Sequence, residues 1–381
     1  MITTAAPSSK RVISIDILRG LVMVVMALDH ARDYFSGFKF DPTDIDHTTP
    51  ALFFTRWITH FCAPTFIFLA GTSSFLSMRK GKTKPEQAWH LFSRGVWMIL
   101  LEVTVVYFGW MFSFHYDPLY LQVIWATGWC MICLAGLIFL PPLAILTFAL
   151  AMIFGHDAFD SVQTGGGDLG ILWDVLHVQG PITFHGHHIF IIYPLVPWIG
   201  VMAAGYCFGQ VVTLPEPQRN KWMYIIGLSA TAMFIILRAI NGYGDPSPWI
   251  HRSAAWRTFL DFLSDRKYPP SLLYLLMTLG PAIAALPLLD KLRNRVGDTF
   301  TVYGRVPLFY YILHIYLLHL MAVLAGKFFM AEATVTIFNH PGFSLPVVYG
   351  VWLTAVVILY FPCRWFMRIK MSHRNWWLSY L

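Results

Sequence analysis

The sequence predicts an all-α, polytopic membrane helix bundle of about ten transmembrane helices. The whole chain, residues 1–381, forms one integral-membrane domain with both termini cytoplasmic. Three observations predict this. Hydrophobic residues make up 57% of the chain and charged ones 12%, with a mean hydropathy of +0.57. A soluble chain of this length cannot hide so much apolar surface. The apolar runs are long and continuous, unlike the short alternating segments of a transmembrane barrel. Lysine and arginine, finally, gather in alternate connections.

Taken in order, the predicted spans lie near residues 12–34, 53–78, 91–112, 119–139, 141–155, 189–212, 222–240, 271–290, 306–328 and 345–367. The fifth is short and follows Pro141 and Pro142. Basic clusters fall at Lys10 and Arg11, at Arg79, Lys80, Lys82 and Lys84, at Arg219 and Lys221, at Lys291, Arg293 and Arg295, and at Arg368, Lys370 and Arg374. With an even number of crossings all of them share one face, which the positive-inside rule makes cytoplasmic. The opposite connections are acidic, as in "FDPTDIDHTTP", or lack Lys and Arg altogether, as in 155–188. This places the protein in the cell inner membrane as a multi-pass protein embedded in the lipid bilayer. The net charge of +7 then reflects topology and anionic headgroups, and no nucleic-acid partner is expected.

The five cysteines sit in or beside apolar runs without a framework spacing, so Cys130 and Cys133 read as small packing residues and not as a redox or metal pair. The first apolar run is no secretory signal, because it carries charges and ends in "DHARDYF" without a small-residue cleavage site. No internal repeat is visible, although two-half transporters often show one. The loop "HVQGPITFHGHH", with His177, His185, His187 and His188, reads as a solvated loop, and no metal is expected.

One outer loop departs from the charge pattern. Residues 241–270 carry Arg252, Arg257, Arg266 and Lys267 among Tyr243, Trp249, Trp256 and Tyr268. Either the segment lies on headgroups, or it forms a lid facing an anion or a sugar.

The polar groups inside the spans carry the functional question. A helix advances ~100° per residue, so Arg19 and His30, eleven apart, return to nearly one angle, roughly 16 Å apart along the axis. Asp16 and Asp33 extend that stripe, and Met23 and Met26 fill its middle. A charge at mid-membrane costs at least ~2.5 kcal/mol, so this face must look into the bundle or a wet cavity. Asp16 and Arg19 form either a structural ion pair or part of a site. His30 is either a satisfied interfacial histidine or a catalytic one. The second span adds Arg56 and His60 one turn apart before Pro64, the third adds Glu102, and "RVPLFYYILHIYLLHL" adds Arg305, Tyr310, His314 and His319. Together they supply bases, an acid and cations to one interior, which suits a buried reaction chamber or a proton path.

"SIDILRGLVMVVMALDH" resembles the first catalytic span of the transmembrane acyltransferases: an Asp, then Leu-Arg-Gly, then an apolar run, then a His eleven residues after the Arg. Arg19, Gly20 and His30 match at that spacing. "RVISIDILRGL", "APTFIFLAGTSSFL", "YPLVPWIGVMAAGYCFG", "KYPPSLLYLLMTLGP" and "GRVPLFYYILHIYLLH", in order, resemble the heparan-α-glucosaminide N-acetyltransferase catalytic-domain family in its bacterial membrane-protein branch. The resemblance implies transfer of an acetyl or other acyl group from cytoplasmic acyl-CoA, typically acetyl-CoA, to a glycan or amino-sugar acceptor on the far side. It also implies a homodimer. The animal enzyme has an asparagine where His30 aligns and places its catalytic histidine in the outer loop after the first span. The base here is therefore His30 or His47, with His30 preferred. Asp29, Asp33 or Asp46 would orient the imidazole, and Arg56 and His60 are candidate oxyanion donors. Arg19, Asp16, Arg56, His314 and Arg305 are expected on the acyl-CoA side, and Trp249, Trp256, Arg252 and Arg257 over the acceptor. Direct transfer and an acyl-histidine intermediate both fit. The rival reading is a proton-coupled small-solute transporter using His30, Glu102, Arg19 and His314 as a relay.

Overall fold

The computed structural model describes residues 12–79, 81–162, 164–329, 335–336, 339–340, 342–373 and 375–380. Lys10, Arg11, Lys80 and Arg374 of the basic clusters lie outside these. Helix α1 (Ile13–Phe35) is followed by α2 (Pro50–Trp57) and α3 (Cys62–Met78), which a 3₁₀ turn, Ile58–Phe61, joins. Then α4 (Lys84–Leu101) passes through a π turn, Glu102–Val106, into α5 (Tyr107–Met111). After strand β1 (Leu119–Leu121) come α6 (Val123–Leu137), α7 (Pro142–Gly155) and α8 (Asp168–His177). Strands β2 (Gly180–Phe184) and β3 (His187–Ile191) precede α9 (Trp198–Val212), α10 (Glu216–Ile240), α11 (Ala255–Leu263) and α12 (Leu272–Leu289). The chain closes with α13 (Arg295–Arg305), α14 (Pro307–Phe329) and α15 (Leu345–Ser372).

The protein is mostly helical, and among the described residues seven helical stretches are long and apolar enough to cross a membrane: Pro50–Met78, Lys84–Met111, Pro142–Phe159, Glu216–Ile240, Leu272–Leu289, Pro307–Phe329 and Leu345–Ser372. The all-α expectation needs one correction. A small mixed sheet in the order β1-β3-β2 occupies part of the region expected as loop and span starts. Its hairpin turns on His185 and Gly186, both at positive φ (49° and 83°), the geometry that the tightest hairpins require. The expected fourth and sixth spans therefore begin later, at Val123 and Trp198, because β1 and β3 take the preceding residues. His177 also departs from the solvated-loop reading: it is buried at the end of α8, with Nε2 2.8 Å from Asp160.

Helix α1 is the hub of the bundle and packs against α3, α12, α13, α14 and α15. The Gly of its Leu-Arg-Gly triplet explains how α13 comes so close. A Cβ on Gly20 would lie 1.8 Å from the Phe300 carbonyl oxygen, and one on Gly304 1.8 Å from that of Asp16. α3 and α9 cross in the same way, with Gly71 against Met202 and Gly205 against Phe68. Small residues at crossings are the common device where helices pack without a hydrophobic drive between them. By contrast, α10 and α15 turn Ile235, Ile236, Val357, Phe361 and Trp365 outward, an apolar exterior suited to lipid.

Candidate active site

Helix α1 presents Met23, Met26, Asp29, His30 and Asp33 to a cavity of about 400 Å³. Arg56, Thr59, Cys62 and Phe66 form the wall from α2, the 3₁₀ turn and α3, and Trp110 and Tyr311 close the side behind His30. Tyr120, Phe190 and Tyr193 cover it from the sheet side, and Lys267 and Tyr268 enter from the loop before α12.

Asp29 organises the charges. Arg56 donates through Nη1 to both its oxygens at 2.6 and 2.7 Å. Arg32 reaches it from the next turn of α1 at 2.8 Å, and Lys267 Nζ lies 3.6 Å away. Arg32 also holds Asp33 at 2.8 Å. Three cations thus face two carboxylates, and with Asp29, Arg32 and Lys267 each at most 9% exposed, the excess positive charge sits in poor solvent. Such a site attracts a ligand's negative charge, or one that develops during a reaction.

His30 lies beside this cluster. Its ring packs against Trp110, with centroids 4.7 Å apart, and edge-on against His314 at 4.9 Å. Nδ1 is closed off from solvent and makes no hydrogen bond to the described residues. None of the expected orienting carboxylates touches the ring: Asp29 is taken by its cations, Asp33 by Arg32, and Asp46 by Arg252 at 3.0 Å. Aromatic packing holds the imidazole instead.

The other expected residues fall in several places. His47 stands on the loop after α1 with its side chain 67% exposed, 2.8 Å from Asp44, and does not line the cavity. Its hydrogen bond holds the Asp44 carboxyl below the usual range. His60 is buried against Tyr274 and also lies outside the cavity lining. Arg19 sits one turn beyond Met23, where the cavity ends; it donates to Ser73 Oγ at 2.6 Å and to the Gly304 carbonyl at 3.2 Å, and lies 3.6 Å from Asp16. Arg305 approaches the other oxygen of Asp16 at 3.5 Å. His314 backs onto His30 and is fully buried. Glu102, also fully buried, accepts from the Trp125 N–H at 3.0 Å and so caps the first turn of α6.

The acceptor-side candidates lie outside the cavity lining. Trp249 donates to the Arg238 carbonyl at 2.7 Å; Arg257 lies over the exposed Trp256 ring at 5.2 Å; Arg252 pairs with Asp261 at 2.6 Å. Their loop nevertheless reaches the site through Lys267. Buried Arg238 pins it by donating to the carbonyls of Ser247, Asp261, Phe262 and Ser264. Within it, burial pushes the Asp265 carboxyl well above the usual range, against the pull of Arg238. Sequence reasoning placed Lys267 in a basic outer loop, read either as lying on headgroups or as a lid, but did not single it out, and it had no signal for Trp110. A second cavity, of about 260 Å³, shares Arg32 and Asp33 with the first and opens beside Ser36, Phe38 and Phe40. Among the described residues no cluster of His, Cys, Asp and Glu could hold a metal ion.

A membrane helix bundle enclosing an unbonded imidazole beside clustered cations suits a membrane-embedded group-transfer enzyme. The catalytic family model of heparan-alpha-glucosaminide N-acetyltransferase matches residues 11–241, more than half of the chain, and the chain belongs to that family. No curated protein matches it. Membership points to a membrane acetyltransferase. Asp29, His30, Arg56 and Trp110 fall within the matched stretch; Lys267 and His314 fall beyond it.

Proposed function

We propose that the protein moves an acetyl group from acyl-CoA on the cytoplasmic side to a hydroxyl or amine of a sugar on the outer side of the cell inner membrane. The proposed topology has ten crossings: the seven long apolar stretches, α1, and the shorter α6 and α9. The observation that carries the proposal is His30, the free imidazole of a cavity that has an excess of buried positive charge.

His30 acts as general base through Nε2. The acceptor N–H or O–H attacks the thioester carbonyl carbon while its proton passes to Nε2. The carbonyl oxygen becomes an oxyanion, which the net positive charge of Lys267, Arg56 and Arg32 around Asp29 stabilises. Collapse of this intermediate breaks the C–S bond, and the thiolate takes the proton back from His30. Met23, Met26 and Phe66 give the thioester end an apolar berth, and Arg19 and Arg305 favour the donor's phosphates at the inner end.

The test is acetyl transfer by purified protein in nanodiscs, with labelled acetyl-CoA and a panel of amino sugars and hydroxyl sugars. The His30→Ala variant should lose between about 10²- and 10⁴-fold in turnover, the range a positioned base contributes. Wild-type turnover in that variant overturns the assignment of the base. A wild-type protein that transfers nothing from any acyl-CoA, yet drives solute uptake into vesicles, overturns the reaction class.

A further inference from the structure

The region behind His30 contains a second imidazole that the mechanism does not use. His314, on α14, is fully buried, and its ring stands edge-on to His30 with centroids 4.9 Å apart and planes 78° apart. Two nitrogens in this pair are buried without a hydrogen-bond partner among the described residues: His30 Nδ1 and His314 Nε2. Two unpaired polar atoms buried side by side are costly, since each forfeits hydrogen bonds it had in the unfolded chain.

Chemistry fixes the proton on His314. Its Nδ1 lies 3.1 Å from the Tyr310 carbonyl oxygen. A carbonyl only accepts, so Nδ1 carries the hydrogen. In a neutral ring Nε2 then keeps its lone pair and acts as an acceptor. His30 shows the complementary need. To serve as base from the cavity side, its Nε2 must hold a lone pair, so Nδ1 must hold the hydrogen. That hydrogen is the donor that His314 Nε2 lacks.

We propose that His314 is a positioning residue that fixes the tautomer of His30 by accepting a hydrogen bond from its Nδ1–H. The chain of contacts runs from the Tyr310 carbonyl through His314 to His30, and ends in a lone pair facing the cavity. The rings are adjacent but unbonded in this structure, so the proposal requires the two nitrogens to close to hydrogen-bond distance; catalytic hydrogen bonds commonly tighten when substrate binds. A neutral imidazole here does the work that a carboxylate does in many other base arrangements. It does so without adding a negative charge beside the acceptor's attack. This inference rests on the reading of His30 as the base.

The experiment uses full-length protein in nanodiscs with ¹⁵N-labelled histidine. The His30 signal, identified by its loss in His30→Asn, reports which nitrogen carries the hydrogen. In wild type it should read as the Nδ1–H tautomer. In His314→Phe, which keeps an aromatic ring but no acceptor, it should shift toward Nε2–H, and turnover should fall by about 100-fold, the lower end of a positioned base's contribution. In His314→Gln the amide oxygen can accept in place of Nε2, so most turnover and the Nδ1–H signal should return. The inference is overturned if His30 keeps its tautomer in His314→Phe, or if Phe and Gln variants are equally impaired. Should His314→Phe fail to fold, the tautomer in His314→Gln decides alone, with Nε2–H overturning the proposal. An inactive His30→Ala beside a fully active His314→Phe defeats this inference and leaves the base assignment standing. A fully active His30→Ala defeats the base assignment itself.

Discussion

Asp29 shows how a single carboxylate sets the chemistry around it. Three cations converge on it from positions 32, 56 and 267, and one unit of positive charge stays uncompensated after Asp33 is counted. Lys267 has the loosest contact of the three and is free to answer a new negative charge. Lys267→Met keeps the bulk of the side chain and removes its charge. It should lower kcat by about 10²- to 10³-fold, as loss of an oxyanion donor does, with KM changed far less. Steady-state kinetics with acetyl-CoA varied would check this, and a KM effect alone would assign Lys267 to binding. At this scale the sequence was informative where a helix fixed the angles. His30 was legible from its spacing to Arg19, and Arg56 as a cation within its span; Asp29 was read only as a group that would orient the imidazole, whereas in the structure it pairs with Arg32, Arg56 and Lys267. His60 was drawn to the same face by its four-residue separation from Arg56, but the 3₁₀ turn Ile58–Phe61 intervenes. Such a turn advances about 120° per residue in place of 100°, and so swings His60 away from the cavity. Trp249, Trp256, Arg252 and Arg257 share the loop that delivers Lys267. Composition alone does not tell which side chain of an irregular segment turns inward.

Among the elements, α1 depends on its crossing with α13. Gly20 and Gly304 let the two backbones touch, and neither site has room for a methyl group. Gly20→Ala should therefore cost about 1–3 kcal/mol or more through overpacking, seen as a lower thermal midpoint and a lower monodisperse yield in detergent. Unchanged stability would show that α13 can move aside. The same crossing holds Arg19 against the Gly304 carbonyl, so the Leu-Arg-Gly triplet has a structural reading for its Arg and Gly that needs no ligand. Glu102 likewise serves architecture: it caps α6 where that helix starts inside the bundle, after β1 has taken the residues before it. The apolar runs revealed the helices. They did not reveal the sheet, because Leu119–Leu121 and Ile189–Ile191 are as apolar as the spans they adjoin, and only long-range pairing distinguishes them.

For the molecule as a whole, the distribution of basic residues and the order of elements make one prediction together. A reporter fused to the C-terminus should sit in the cytoplasm, so that a fluorescent protein lights up there and alkaline phosphatase stays silent. The reverse result would require an odd number of crossings, as when α1 does not traverse the membrane, or an inverted orientation of the whole bundle.

The site's position along α1 has a further consequence. The chamber stops at Met23, and Arg19 lies one turn deeper, gripped by Ser73 and Gly304. The thioether floor thus separates the chamber from the Arg19 end of α1. On the proposed reading, a donor that reacts at His30 would thread a slim, flexible tether past that floor while its bulky, highly charged head stays on the Arg19 side. Under that proposal the chemistry is vectorial: the group crosses the membrane, and its carrier does not.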